Sequence, residues 1–433
     1  MAAAHDQMSG DGGSYAKTVL DNGIRVITEE VPYVRSASIG VWVAVGSSHE
    51  EPAVRGMSHC IEHMLFKGTS GRSARDIAEL MDSVGGNLNA FTDKEATCYH
   101  ARIVDTHAPL AVDVLADMFA RSTLDPNELR KEQQVILEEI RMYDDSPDEV
   151  SQDLFLRSVW GGSALGEPTI GYADTVSAID RQAILDYMAA KYVPRAIVVT
   201  AVGRLEHAAF VEQVARQFGG LRGGPAHPDP KPPVFRPVSV IQQKDCEQVY
   251  VLVGAEGTSA ADERRYVYSV LDTILGGGMA SRLFQEIREK RGLVYSVYSS
   301  HQTYRTGGLF TIAASTRPKN AAEVLGLIRA EAANMFEHGV RADEVARAKE
   351  HLKGGLLLSL ESTSTRMLRL GRTELVAGRT IPPSEVIAKI DAVTKEEVDA
   401  AARALFAPGR LALTVLGPID ESFEVQARLA QSA

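Results

Sequence analysis

Gly219-Gly220-Leu221-Arg222-Gly223-Gly224-Pro225-Ala226-His227-Pro228-Asp229-Pro230-Lys231-Pro232-Pro233-Val234-Phe235-Arg236-Pro237 is the densest run of proline and glycine in the chain. Proline removes a backbone donor and fixes φ, and glycine loosens the chain, so such a run neither continues a helix nor sits inside a sheet. It reads as an interdomain linker. The 433 residues exceed what one ordinary core accommodates, and the expected division is an N-terminal domain 1–218, a linker 219–236 and a C-terminal domain 237–433.

Working outward from the linker, the two halves follow one order: strands first, helices later, and a late strand introduced by proline. Tyr192-Val193-Pro194 precedes the apolar run Ala196 to Val202 and Gly203, while Phe406-Ala407-Pro408 precedes Leu411 to Leu416 and Gly417. Both the prolines and the glycines are 214 positions apart (408 − 194 and 417 − 203). A helix opening at Pro126-Asn127-Glu128-Leu129 has a counterpart at Arg341-Ala342-Asp343-Glu344-Val345. Self-similarity on this scale predicts a duplicated domain.

Asp21-Asn22-Gly23 between Thr18 to Leu20 and Ile24 to Thr28 is a hairpin signal. Ile39, Val41, Val43 and Val45 alternate with Trp42 or smaller residues, as in a strand with one buried face. Ser73 is a candidate N-cap for a helix through Val84, with Asp76 in its first turn and Gly85 past its end. Strand-like runs follow at Asn87 to Thr92 and Ala96 to Ile103, then helical patterns over about 106–121 and 127–143. This order predicts an α+β fold, with helices packed on a mostly antiparallel or mixed sheet in each domain.

The chemistry is concentrated in Gly56-Met57-Ser58-His59-Cys60-Ile61-Glu62-His63-Met64-Leu65-Phe66, which contains HxxEH. On a helix His59 and His63 stand one turn apart, so both imidazoles can meet one metal ion. Glu62 borders them without displacing either and suits a general base. Cys60 is turned off that face and reads as a small buried hydrophobe. A catalytic zinc site takes a third protein ligand. The later helix offers Glu132, Glu138 and Glu139; Glu132 and Glu139 share a face, with Glu138 about 100° away. Periodicity does not choose Glu139 over Glu138.

At these residues the chain resembles the inverted-motif zinc peptidases, the pitrilysin and insulinase family, and in particular its short-chain branch with the β subunit of mitochondrial processing peptidase and bacterial homologues. The resemblance covers most of the chain. It implies one Zn²⁺ per chain, held by His59, His63 and a glutamate 76 residues beyond the second histidine, which is Glu139, with Glu132 assisting catalysis. It implies two homologous domains closing as a clam-shell, and pairing of two chains as a homodimer or with a homologous partner.

Further expectations come with the resemblance. Asn89, Ala90 and Phe91 would belong to an edge strand to which extended substrate adds as another strand. Phe66 would line the pocket beyond the cut bond. Arg288 and Tyr295 would bind the substrate carbonyl and the developing oxyanion. Glu149 and Asp153 would receive a substrate arginine. His49 and His100 stand where relatives more often carry arginine and an aromatic.

Composition bounds the partners. With 45% hydrophobic and 24% charged residues the chain has a globular composition, and its net charge of −11 argues against nucleic acid and favours a basic or apolar-basic peptide as partner. No uninterrupted apolar run is long enough to predict a membrane span. The amino-terminal stretch lacks the pattern of a signal or transit peptide. Three cysteines, Cys60, Cys98 and Cys246, give no disulfide framework. A cytoplasmic endopeptidase acting on unfolded peptides or flexible presequence-like segments is the resulting expectation; the alternative is a catalytically silent structural or partner subunit.

Overall fold

The computed structural model describes residues 6–10, 13–419 and 423. It forms two compact units that are not contiguous in sequence: residues 1–140, 168–230 and 357–385 make one, and 141–167, 231–356 and 386–433 the other. No helix among the described residues is long and apolar enough to cross a membrane.

Among the described residues the first unit holds seven strands: β1 (Asp6–Gly10), β2 (Gly13–Val19), β3 (Arg25–Glu30), β4 (Ser36–Val43), β5 (Asn87–Thr92), β6 (Thr97–Val104) and β7 (Ile197–Gly203). Their order in the sheet is β1-β2-β3-β7-β4-β6-β5. All neighbours are antiparallel except β3 and β7. The second unit holds β8 (Ser239–Gln243), β9 (Val249–Glu256), β10 (Val294–Thr303), β11 (Gly308–Thr316) and β12 (Ala412–Gly417) in the order β10-β11-β9-β12-β8. Only β12 and β8 run parallel there.

Aligning β8, β9, β11, β10 and β12 with β3, β4, β6, β5 and β7 gives one topology twice. The repeated glycines share a physical reason. Gly203 and Gly417 end the equivalent strands β7 and β12 with φ of +142° and +148°. A Cβ at either would stand within 2.6 Å of a backbone carbonyl, that of Ser36 or of Gln248. Only glycine fits such a conformation and such an approach.

In β4 the expectation of one buried face is corrected: after Ser36 the whole strand is buried. Ala37, Ile39, Val41 and Val43 face the main core, with the helices Met57–Leu65, Ala108–Arg121 and His207–Phe218. Trp42 lies in a second cluster with Val198, Val202, Met367 and Leu370. The last two belong to the helix Thr363–Ala377, which therefore covers the back of the first sheet. In the second unit the helix Pro147–Val159 does the same, placing Phe155 and Val159 with Leu252 and Ala313.

Each sheet thus takes its back cover from the opposite half of the chain. Both strands make room for it with a glycine: a Cβ on Gly40 in β4 would sit 2.4 Å from Met367 Sδ, and one on Gly254 in β9 would sit 2.5 Å from Phe155 Cζ.

Candidate metal centre

The helix Met57–Leu65 is pinned by its own sequence. Met57, Cys60, Ile61, Met64 and Leu65 are buried in the first core, and that apolar set leaves one half-buried stripe, His59, Glu62, His63, Phe66 and Lys67. Cys60 is fully buried, and burial pushes its thiol up to about 12, so it offers no thiolate. The imidazoles of His59 and His63 lie 4.6 Å apart between ring centroids.

The long helix Pro126–Asp144 comes against this stripe with Leu129, Glu132, Gln133 and Ile136 buried. Glu139 Oε2 lies 3.8 Å from His59 Nε2 and 3.7 Å from His63 Nε2. The three candidate donor atoms all fall within 4.8 Å of one another, the only such group of histidine, cysteine or carboxylate ligands among the described residues. Glu138 is exposed. Glu139 Oε2 is buried without a hydrogen-bond partner. A desolvated carboxylate oxygen facing two imidazole nitrogens is costly by itself and fits a divalent cation of the zinc type.

The protonation states agree with that fit. Burial, helped by the neighbouring His63, pushes His59 down to about 4, so its ring is a neutral donor at ordinary pH. His63 Nδ1 lies 3.0 Å from Glu132 Oε2. A carboxylate there only accepts, which puts the proton on Nδ1 and the lone pair on Nε2, facing Glu139. Lys67 Nζ holds the other Glu132 oxygen at 2.7 Å. Glu132 therefore lies behind His63, on the side of the ring away from Glu139.

Glu62 stands beside the ligand set. Thr92 Oγ1 donates to its Oε2 at 2.6 Å. Burial raises its pKa above the usual carboxylate value, against the lowering effects of the Thr92 bond and His63. A desolvated carboxylate held by one oxygen has the character of a proton acceptor. No local pattern marks the Thr92 and Lys67 contacts, because both depend on side chains meeting across separate elements.

Strand β5 is an edge strand, paired through Asn89 opposite His100, Ala90 opposite Tyr99 and Phe91 opposite Cys98. The Phe91 ring packs edge-on against Trp42 at 5.7 Å, with the Arg372 guanidinium 5.6 Å from its centroid. What Phe91 leaves available is its backbone. Phe66 is half-buried, 6.3 Å from the Tyr99 ring.

The remaining expected residues belong to the second unit. The Arg288 guanidinium lies 4.7 Å from the Phe284 ring and 5.4 Å from that of Tyr295. Arg288 sits in a π-helical turn, Phe284–Glu289. Tyr295 falls where the β10–β11 register shifts, between Val294 and Ser296, and is 81% exposed. Such irregularities re-aim side chains. Glu149 is exposed and Asp153 half-buried on the helix Pro147–Val159. Burial, then repulsion from Asp148 and Asp153, raises the Glu149 pKa.

Comparison with known proteins assigns the chain to one family in two consecutive segments. Residues 25–172 match the family model described as "Insulinase (Peptidase family M16)" and 178–352 that described as "Peptidase M16 inactive domain". The chain is 41% identical over 397 residues to the uncharacterized zinc protease YmxG of Bacillus subtilis, covering 92% of this chain and 97% of that one. It is 42% identical over 417 residues to an uncharacterized zinc protease of Streptomyces coelicolor, covering 94% and 91%. A solved protease from Helicobacter pylori has the same fold, with a TM-score of 0.88 at 21% identity over 93% of this chain and 99% of that one.

Proposed function

The chain belongs to the insulinase family, peptidase family M16, and on that premise we propose that it is a zinc-dependent endopeptidase that cuts unfolded peptides or flexible presequence-like segments. The observation that carries this reading is the convergence of His59 Nε2, His63 Nε2 and the unpartnered Glu139 Oε2, with Glu62 alongside.

His59, His63 and Glu139 would hold one zinc ion, which when bound polarises the scissile carbonyl and the attacking water. Glu62 moves the protons. Its Oε2 is held by Thr92, which leaves Oε1 to take a proton from the attacking water and return it to the leaving amine. Glu132 keeps the His63 ring oriented. The outer edge of β5 at Asn89 to Phe91 binds the substrate main chain, a mode that would tolerate many sequences and require extended ones.

Phe66 lines the pocket beyond the cut bond in this reading, and Arg288 and Tyr295 stabilise the substrate carbonyl as it gains charge. Glu149 and Asp153 take a basic side chain. We further assign the enzyme to the cytoplasm, acting as a homodimer or paired with a homologous chain. An intact ligand set with its base beside it weighs against a silent partner subunit.

Cleavage of an unstructured peptide by the zinc-loaded protein and by Glu62→Gln, with zinc content measured for both, is the test. Cleavage by the first alone, at equal zinc content, supports the reading. Equal rates would remove Glu62 as the base, and a zinc-loaded protein that cuts nothing would leave the silent subunit.

A further inference from the structure

The helix that carries both histidines starts without a cap of its own. Its N-cap position is Gly56, in the left-handed region with φ +91°, and glycine has no side-chain acceptor for the amides of the first turn. One of those amides, that of Ser58, and the amide of Gly56 itself are nonetheless satisfied from outside the helix. Glu50 Oε2 accepts from the Gly56 amide at 2.8 Å, and Glu50 Oε1 accepts from the Ser58 amide at 2.7 Å. The Ser58 hydroxyl is in turn 3.1 Å from the Tyr187 hydroxyl.

Glu50 is 4% exposed. A carboxylate removed from water makes strong bonds to the amides that replace its hydration, and the positive end of the helix dipole adds to them. Burial pushes the Glu50 carboxyl up to about 7, against the pull of the Ser58 and Gly56 amides. Arg55, itself buried, stabilises its charge and donates to the Ser47 carbonyl at 3.3 Å. Glu50 therefore clamps two backbone positions, the second of them immediately before His59.

Displacement of a ligand by a few tenths of an ångström is felt in a zinc site, where donor distances are narrow. The first turn of a short helix is also its most easily frayed part. We propose that Glu50 is a positioning residue of the metal centre: by docking the start of the Met57–Leu65 helix it fixes where His59 stands, and so sets the affinity and geometry of the site. The inference rests on the zinc site of the reading above, and it adds to that site's support a residue nine positions before His59 that touches no ligand side chain.

The test uses Glu50→Gln, which keeps the side chain's volume and one acceptor oxygen, and Glu50→Ala. Zinc affinity of the metal-free proteins is measured by competition with a chelating dye, and the visible spectrum of the Co²⁺-loaded proteins reads the ligand geometry. Thermal unfolding of the metal-free forms is recorded alongside. The expected result is a loss of zinc affinity of roughly tenfold for Glu50→Gln and up to a hundredfold for Glu50→Ala, the range seen for outer groups that hold ligands, with a changed Co²⁺ spectrum.

A folded Glu50→Gln protein with the zinc affinity and Co²⁺ spectrum of the parent would overturn the proposal, even if it melted earlier. If Glu50→Ala does not fold, Glu50→Gln decides alone. Neither readout uses peptide turnover, so a parent protein that binds zinc but cuts nothing would remove the peptidase reading and leave this one standing. A parent that binds no zinc would remove both.

Discussion

His63 Nδ1 lies 3.0 Å from the Glu132 carboxylate, while the other nitrogen of the same ring faces Glu139 at 3.7 Å. The ring is held from the Glu132 side, away from the metal position, and that contact fixes its tautomer. Glu132→Ala should weaken zinc binding by about 10- to 100-fold, and Glu132→Gln, whose amide oxygen can still accept the Nδ1 proton, by less. Chelator competition on the metal-free proteins checks this. Unchanged affinity in Glu132→Ala would show that His63 needs no such support.

Tyr295 is 81% exposed at the register shift of β10, so its hydroxyl contributes nothing evident to folding. If it stabilises the developing oxyanion, Tyr295→Phe should lower kcat on the order of 100-fold and leave the unfolding midpoint in place. Steady-state kinetics on the test peptide measures the first quantity and chemical denaturation the second. A parent-like kcat removes Tyr295 from the reaction.

The helix Thr363–Ala377 lies so close to the first sheet that a Cβ on Gly371 would stand 2.1 Å from Trp42 Cε2. Alanine gains about 1 kcal/mol of helix propensity over glycine, and overpacking a fixed indole costs about 1–3 kcal/mol. Since Trp42 is fully buried and also donates through Nε1 to Thr200 Oγ1 at 3.0 Å, it has no room to yield. Gly371→Ala should therefore lower the urea midpoint despite its better helix former.

In the second unit Arg282 bridges Glu344 at 2.7 Å and Glu331 at 2.9 Å, with a further bond to the Gly339 carbonyl at 3.1 Å. Its removal leaves Glu344, which is 3% exposed, beside Glu331 with one fewer cation. Arg282→Ala should cost about 3–5 kcal/mol, the penalty of uncompensated buried charge. Equilibrium denaturation measures it, and a loss under 1 kcal/mol would mean that Arg341, 3.3 Å from Glu344, compensates.

Burial pushes His301 down to about 4. Its Nε2 accepts from the Thr258 amide at 3.2 Å and so needs its lone pair. The unfolded chain takes a proton near pH 6.5 and the folded chain only near 4, so stability should fall as the pH drops through that window, by on the order of 2–3 kcal/mol. His301→Gln should flatten this part of the dependence. Unfolding midpoints between pH 4 and 7 for both proteins provide the check.

Several of these features were legible in the linear sequence. The hairpin at Asp21-Asn22-Gly23, the Ser73 cap with Asp76 and the Asn87–Thr92 strand follow from local rules, and each forms. Gly203 and Gly417 announced the repeat because a positive φ beside a crossing carbonyl admits no other residue. His59 and His63 share a face by helical geometry alone. Glu139 was left level with Glu138 by periodicity, since the helix period does not say what stands opposite each face.

The sequence by itself determined the elements, the repeat and the pair of imidazoles, because these depend on interactions within a few residues or on a spacing written twice. Tertiary structure alone decided the rest: that β4 is buried on both faces, that each sheet borrows its covering helix from the other half of the chain, and that Glu50, Glu132, Lys67 and Thr92 gather around the histidine helix. Side-chain carboxylates and hydroxyls find partners through space, and no local pattern records which distant element will bring them.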